Sequence, residues 1–392
     1  MSASRPIFLT GATGFVGMAV LQRLLDAGHE VVCLVRAADD HEADARLRAV
    51  LARVQTPDTS RAVAVAGDVT APRLGLGERH DALAARVGTV IHGAASVAFD
   101  LPLDDARAIN VEGTRRVLEF AAAVPGLERV LHISTAYVAG DRRGIVFEDD
   151  HARGAFRNSY EQTKHEAEAL VRASGLSWAI ARPSIIVGES ETGWTASFNV
   201  LYAPLRAFGA GAYPVVPARR RAPVDVVSVD YVADAVVALA AHPDAAGGTF
   251  HLTAGDRASS VGEIVELATG GFDRRAPRLV PPRTYRRLVH PLVVRRVAPS
   301  TRRLLERSEV YFPYFAMRLR FDDARARALL GPMGIEATPL RDYFDRLIAF
   351  ARAARWGRRP LGRAEAVALL GADGAVRAPA LSGRLGGAPA PA

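Results

Sequence analysis

Lysine is all but missing from this chain. Of its 50 basic side chains, 49 are arginine, and Lys164 alone is lysine. A composition that replaces lysine by arginine almost everywhere retains one where arginine cannot serve, because the guanidinium is forked, bulky and never gives up its proton. Cysteine is equally scarce. Cys33 stands alone, which excludes a disulfide within the chain and agrees with a reducing compartment, so a cytoplasmic location is expected. The first residues lack a basic stretch followed by a long apolar one, and no secretory leader is expected. No uncharged apolar run reaches the roughly 18 residues of a membrane span. Aromatic residues do not interleave with basic ones, so nucleic acid is not an expected partner. No internal repeat is found, and no metal site is expected.

What is present can bury a core: 49% of residues are hydrophobic and 23% charged. Short apolar runs alternate with helical patterns over the first 180 residues. Strands are expected at Ile7–Leu9, Val31–Val35, Ala62–Ala66, Val90–His92, Val130–Ile133 and Trp178–Ala181. Helices are expected at Phe15–Ala27, Leu83–Val87, Asp104–Ala122 and Tyr160–Ser174, from apolar positions near helical spacing. Such βα alternation implies an α/β fold, a doubly wound parallel sheet with helices on both faces and its ligand outside the carboxyl ends of the strands. After Pro183 the rhythm changes. Helices are expected over Ser197–Phe208, Val229–Ala241 and Pro339–Trp356, with a short strand at Thr249–Leu252, and Pro281–Glu309 and Asp322–Leu330 are expected to be helix-rich with proline breaks. The division expected is a dinucleotide-binding core over 1–255 with an insertion near 190–225, and a smaller, mostly helical substrate lobe over 256–356. The Ala-, Gly-, Pro- and Arg-rich residues 357–392 are expected to be a disordered tail.

The segment Thr10-Gly11-Ala12-Thr13-Gly14-Phe15-Val16-Gly17 follows the first strand and opens a helix. Glycines there permit a tight turn and let the backbone, through Thr13, Phe15 and Val16, approach a pyrophosphate at the helix N-terminus. The second strand ends on Arg36, where a carboxylate would accept bonds from a ribose 2′-hydroxyl. An arginine suits a 2′-phosphate instead, so NADP(H) is the expected cofactor, with Arg46 a second contact if the next helix folds back. Asp39 and Asp40 are the counter-evidence, although they lie past the strand end. Asp68 and Val69 follow the third strand, where an aspartate can meet the adenine amino group. Ala94 and Ala95 follow the fourth, small enough to let the cofactor lie close. Asn110 needs partners if buried: a backbone kink, a water chain to Lys164 and a purely structural role all remain open. Pro183, Ser184 and Ile186 follow the sixth strand and could anchor a nicotinamide through their backbone.

The chemistry is expected at Thr135, Tyr160 and Lys164. Tyr160 and Lys164, four residues apart on a helix, share a face. Hydride attack on a carbonyl builds an alkoxide, so a proton donor must be waiting. A nearby ammonium and the cofactor's positive ring favour the phenolate and lower the phenol's pKa. Thr135 would hold the carbonyl oxygen through a second hydrogen bond. Ser134 is the runner-up for that role and otherwise borders the cofactor.

Taken together, these motifs resemble an extended short-chain dehydrogenase/reductase with a Rossmann-type sheet, over roughly residues 5–255. His92-Gly93-Ala94-Ala95-Ser96-Val97-Ala98-Phe99-Asp100, Arg182-Pro183-Ser184-Ile185-Ile186-Val187-Gly188 and Pro223-Val224-Asp225-Val226 resemble the fatty acyl-CoA reductase (male-sterility) branch. The thioester-reductase domains that release chains from carrier proteins share this core. The resemblance implies NADPH-dependent reduction of an acyl thioester, on CoA or an acyl-carrier protein, to aldehyde or alcohol. No adenylation or carrier segment precedes the core, so a free-standing enzyme is expected. The alternatives are a reductase or epimerase of the same fold acting on a ketone, sterol-like or nucleotide-sugar substrate, and a non-catalytic NADP(H) sensor.

Net charge is +8, and arginines cluster late, at Arg219-Arg220-Arg221, Arg274-Arg275, Arg286-Arg287, Arg295-Arg296 and Arg302-Arg303. They suggest an anionic partner. The segment Arg283–Arg303 alternates arginine pairs with apolar residues and is expected to line the substrate mouth. A peripheral membrane contact and ordinary packing are the rival readings. The sequence does not address oligomeric state.

Overall fold

The computed structural model describes residues 5–56, 58–150, 155–198, 200–211, 215–281, 284–285, 287 and 313–370. Its centre is a seven-stranded parallel sheet. The strands are β1 (Ile7–Thr10), β2 (Val31–Val35), β3 (Ala62–Ala66), β4 (Thr89–His92), β5 (Arg129–Ile133), β7 (Trp178–Pro183) and β12 (Gly248–Leu252), in the order β12-β7-β5-β4-β1-β2-β3. β1, β2, β4, β5 and β12 are buried along their whole length. This is why they read as continuous apolar runs rather than alternating ones. The chain winds outward from β1 in both directions, so the crevice between β1 and β4 is the switch point where such sheets bind ligands.

Helices α1 (Phe15–Asp26), α2 (Asp40–Val54), α5 (Glu112–Ala122), α6 (Ser159–Ala173) and α8 (Val229–Ala241) are among those covering the sheet. Asp39 accepts the Glu42 amide to start α2, and Asn158 accepts the Glu161 amide to start α6, in the manner of N-caps. The helix expected over Asp104–Ala122 is two, α4 (Leu103–Asn110) and α5, meeting at Val111. There the Thr114 hydroxyl donates to the Asn110 carbonyl at 2.7 Å, a back-bond that bends helices. The helix near Leu83–Val87 falls at Arg79–Ala84, and the one expected over Ser197–Phe208 at Tyr202–Gly209.

Later segments add helices and four two-stranded ladders beside the sheet: 144–146 with 319–321, 185–187 with 226–228, 215–217 with 278–280, and 223–224 with 259–260. The tail does not begin at 357. Residues 363–368 form a helix, Leu361 and Ala366 join the same apolar cluster as the sheet, and Trp194 Nε1 donates to the Leu361 carbonyl at 3.1 Å. The low-complexity composition misled because alanine and leucine there carry enough apolar surface to pack. Residues 371–392 lie outside the described residues. No helix among the described residues is long and apolar enough to cross a membrane.

Candidate active site

Thr135 leaves the end of β5 buried, and α6 carries Tyr160 near its start and Lys164 one turn on. The Thr135 hydroxyl lies toward the Tyr160 phenol. Ser134, its neighbour, turns the other way, toward the Glu168 carboxylate, as successive side chains of an extended segment must. Lys164 is 3% exposed. Its Nζ donates to the Ile133 carbonyl at 2.8 Å and lies 3.1 Å from His132 Nε2. The ammonium is therefore held by β5. Burial pushes the Lys164 amine down to about 8, while Glu168 opposes that fall. The depressed phenol expected for Tyr160 is not found: burial pushes it up to about 12, against the lowering effect of the Thr135 hydroxyl. At neutral pH Tyr160 is a phenol carrying its proton.

Beneath this group runs a row of polar side chains at the carboxyl ends of the strands. Thr10 is in register with His92, and His92 with His132. Thr10 Oγ1 lies 2.8 Å from His92 Nδ1, and His92 Nε2 lies 3.0 Å from Thr114 Oγ1. Thr10 also accepts the Ala94 amide at 3.2 Å. Because Thr114 spends its proton on the Asn110 carbonyl, His92 must donate from Nε2 and accept at Nδ1. Asn110, 1% exposed, spends both amide hydrogens, on the Ser96 carbonyl and Thr163 Oγ1, and accepts the Ser96 amide. Its side chain ties the loop after β4 to α6. Of the roles open to it, the structural one fits these bonds. His132 and the buried Glu168–Arg182 pair are the residues that sequence reasoning missed. The available signal was His132 itself, a polar side chain in an otherwise apolar strand.

The residues around α1 fit a dinucleotide. Gly11 has φ +82°, and a Cβ there would meet the Ala94 amide nitrogen at 2.6 Å, so only glycine lets the loop lie on the turn after β4. Gly14 caps α1 with extended backbone and no side-chain cap, which leaves the first-turn amides of a 12-residue helix for an anion. Thr13 lies in this turn, and Phe15 and Val16 open the helix. Arg36 is exposed just past β2, and the Arg46 guanidinium donates to its carbonyl, so α2 does fold back. The two aspartates that spoke for NAD are engaged elsewhere. Asp39 caps α2, and Asp40 accepts the Ala66 amide and pairs with Arg79 at 2.6 Å. Asp68 Oδ1 accepts from both the amide and hydroxyl of Thr70. Val69 packs against Gly113. Ala94 and Ala95 line the turn after β4. Across the site, Pro183 ends β7, Ser184 lies toward the Asp225 carboxylate, and Ile186 lies half-buried in the short strand 185–187.

The substrate side is aromatic and apolar. Phe99 lies between Tyr160 and Tyr314, with ring centroids 5.7 and 5.4 Å away. The Tyr314 hydroxyl donates to Glu161 at 2.7 Å and accepts from Asn158 at 2.8 Å, locking a C-terminal segment onto the start of α6. The next residue, Phe315, lines a crevice with Leu201, Leu205, Phe208, Val265 and Ala268, and every residue lining that crevice is apolar. Beside it, Arg219, Arg220, Arg221, Arg318 and Arg320 line an open groove. Arg220 pairs with Glu266 and Arg320 with Asp256, but Arg219, Arg221 and Arg318 have no carboxylate partner among the described residues. The expected substrate mouth over 283–303 lies, but for a few residues, outside the described residues.

Comparison with known proteins agrees with this geometry. The sequence profile of the family described as male sterility protein matches residues 9–236. A putative fatty acyl-CoA reductase of Drosophila melanogaster is 30% identical over 274 residues, 59% of this chain and 50% of that protein. A non-canonical nonribosomal peptide synthetase of Cladobotryum sp. is 33% identical over 320 residues, 76% of this chain and 30% of that protein. The chain thus spans half or less of the length of these relatives. Among solved structures, the terminal R domain of the myxalamid PKS-NRPS pathway superposes with a TM-score of 0.79 at 26% identity, covering 92% of this chain and 94% of that one.

Proposed function

The chain belongs to the male sterility protein family, and from that membership we propose that it is an NADPH-dependent reductase of acyl thioesters. The observation that supports this reading is the hydroxyl–phenol–amine group of Thr135, Tyr160 and Lys164 linked through the rings of Phe99 and Tyr314 to the segment whose next residue, Phe315, lines a crevice of wholly apolar side chains. A sugar nucleotide would need polar partners for its hydroxyls there, whereas an acyl chain needs none. The groove's arginines, three of them without a carboxylate partner among the described residues, would take the phosphate-bearing handle of the thioester. The preference for NADPH over NADH rests on Arg36 and on the prior engagement of Asp39 and Asp40.

The turn of Gly11 and Gly14 and the first-turn amides of α1 would hold NADPH, which would supply the hydride for the thioester carbon. Thr135 holds the carbonyl oxygen, and Tyr160, a protonated phenol at neutral pH, gives its proton to that oxygen as negative charge develops. Collapse of the tetrahedral adduct breaks the carbon–sulfur bond, releasing aldehyde and the free thiol. Lys164 supports the phenol's reprotonation and offers an N–H to the dinucleotide ribose. We take residues 1–255 as the dinucleotide-binding unit, with substrate contacts from 197–225, 256–281 and 313–356.

The test is NADPH oxidation with a panel of acyl-CoAs, acyl-carrier proteins, free aldehydes and nucleotide sugars, with products identified. Turnover of a thioester to aldehyde supports the reading. Turnover confined to a ketone or a nucleotide sugar refutes it.

A further inference from the structure

Lys164 meets two acceptors on β5, and one of them is a side chain that the fold itself does not use. The Ile133 carbonyl is backbone. His132 is fully buried, with Nε2 3.1 Å from Lys164 Nζ, and its buried Nδ1 has no hydrogen-bond partner among the described residues. Its neighbour His92, with ring centroid 5.2 Å away, is fully satisfied by Thr10 and Thr114 and has nothing to offer it. Burial and the adjacent Lys164 charge hold His132 well below the usual imidazole range, so it is neutral. A neutral imidazole facing an ammonium must accept at Nε2 and carry its proton on Nδ1, where it finds no partner. A buried N–H in that condition costs stability, and an apolar residue would avoid the cost. Packing therefore does not account for a histidine here.

We propose that His132 is a positioning residue for Lys164. It accepts one ammonium hydrogen at Nε2, the Ile133 carbonyl accepts a second, and the third is the one left to present to the dinucleotide. The proposal rests on the reading of Lys164 as a cofactor-binding amine only for the purpose of that third hydrogen. The other charged or titratable groups that interact with the amine are Glu168 on α6 and His92 on β4. Glu168 is already engaged by Arg182 and Arg172, so His132 is the side-chain acceptor whose loss the amine would register.

Lys164 is the only lysine, so tag-free protein grown on lysine labelled with 13C at Cε gives one lysine Cε resonance. Its pH titration reads this amine alone, without substrate or cofactor. In the wild type it should titrate near 8. His132→Leu removes an acceptor from the charged form and should lower the midpoint by about one pH unit or more. His132→Gln places an amide oxygen near the Nε2 position and should restore it. The shorter His132→Asn should behave like the leucine variant. NADPH affinity of the free protein, read by cofactor fluorescence, should weaken about tenfold in the leucine and asparagine variants and recover in glutamine, the worth of roughly one charge-assisted bond. A folded leucine variant with the wild-type titration overturns the proposal. If that variant does not fold, identical titrations for asparagine and glutamine overturn it. A shifted titration with unchanged NADPH affinity supports the hold on Lys164 and counts instead against its role toward the cofactor.

Discussion

Glu168→Gln should cost the fold about 3 kcal/mol at neutral pH, and the cost should shrink in acid. Glu168 lies on α6 one turn beyond Lys164, with no exposed surface. Arg182, on β7 and 1% exposed, grips it through two bonds of 2.9 and 2.7 Å, and Arg172 adds a third at 2.8 Å. Burial alone would push the carboxyl up. Arg182, then Arg172 and the Ser134 hydroxyl, outweigh it and hold the group at about 2, down from 4.5. At about 1.4 kcal/mol per pH unit that difference is worth about 3 kcal/mol, at the lower end of the roughly 3–5 kcal/mol for breaking one side of a buried pair. Because the folded value lies below the unfolded one, the stabilisation is present above 4.5 and is lost as pH falls toward 2. Glutamine keeps the shape and has no proton to take up. Urea unfolding followed by circular dichroism should therefore show a gap between wild type and variant of about 3 kcal/mol at pH 7, narrowing to about 2 kcal/mol at pH 3.5. Pairing Glu168→Leu with Arg182→Met should recover much of the loss, since no buried charge is then left alone. A gap under about 1 kcal/mol at pH 7, or one that does not narrow in acid, would refute the reasoning.

The other expectations follow from the site. Tyr160→Phe keeps the ring and removes the proton, and should lower kcat by on the order of 10² or more; steady-state kinetics on a folded variant decides this. Arg36→Ala should weaken NADPH by roughly 1.5–3 kcal/mol while sparing NADH, and equal losses for both in fluorescence titrations would remove Arg36 as the reader of the 2′-phosphate. Leu205→Trp should obstruct the apolar crevice, raising KM for long acyl thioesters well above that for short ones; a uniform change would place the acyl chain elsewhere. Replacing Arg219, Arg221 and Arg318 together by alanine should raise KM for an acyl-CoA and flatten its salt dependence, with an acyl-pantetheine lacking phosphates little affected.

The central sheet was legible in the residues to within about two positions at each strand end, a normal uncertainty for element boundaries. Ala62–Ala66 and Val31–Val35 coincide with their expected spans because both are apolar runs bounded by polar turns, although Val31–Val35 is buried throughout and Ala62–Ala66 forms the sheet edge with Val63 exposed. Helix ends were less legible where a side chain decides them: the split at Val111 depends on the Thr114 hydroxyl reaching back to Asn110. The tail was misjudged because composition reports how often such sequences are disordered, not whether Leu361 has a partner. What surrounds the phenol in the protein alone was hidden for a related reason. Helical spacing places Lys164 beneath Tyr160, but it does not reveal that the ammonium is claimed by His132 and Ile133.

By itself the sequence determined the βα alternation, the glycine turn after β1, the arginine closing β2 and the shared face of Tyr160 and Lys164. Each of these is set within a few residues, by strand and helix periodicity and by what glycine and arginine can do that other residues cannot. Only the tertiary structure decided which partners those groups meet. Lys164 bonds a histidine 32 residues away, Trp194 a carbonyl 167 residues away, and Tyr314 an acid 153 residues away. Asp39 and Asp40 met their partners, the Glu42 amide and Arg79, only once α2 was in place. Such contacts follow from strand register and from which helix face lands on which strand, and no local pattern along the chain carries that information.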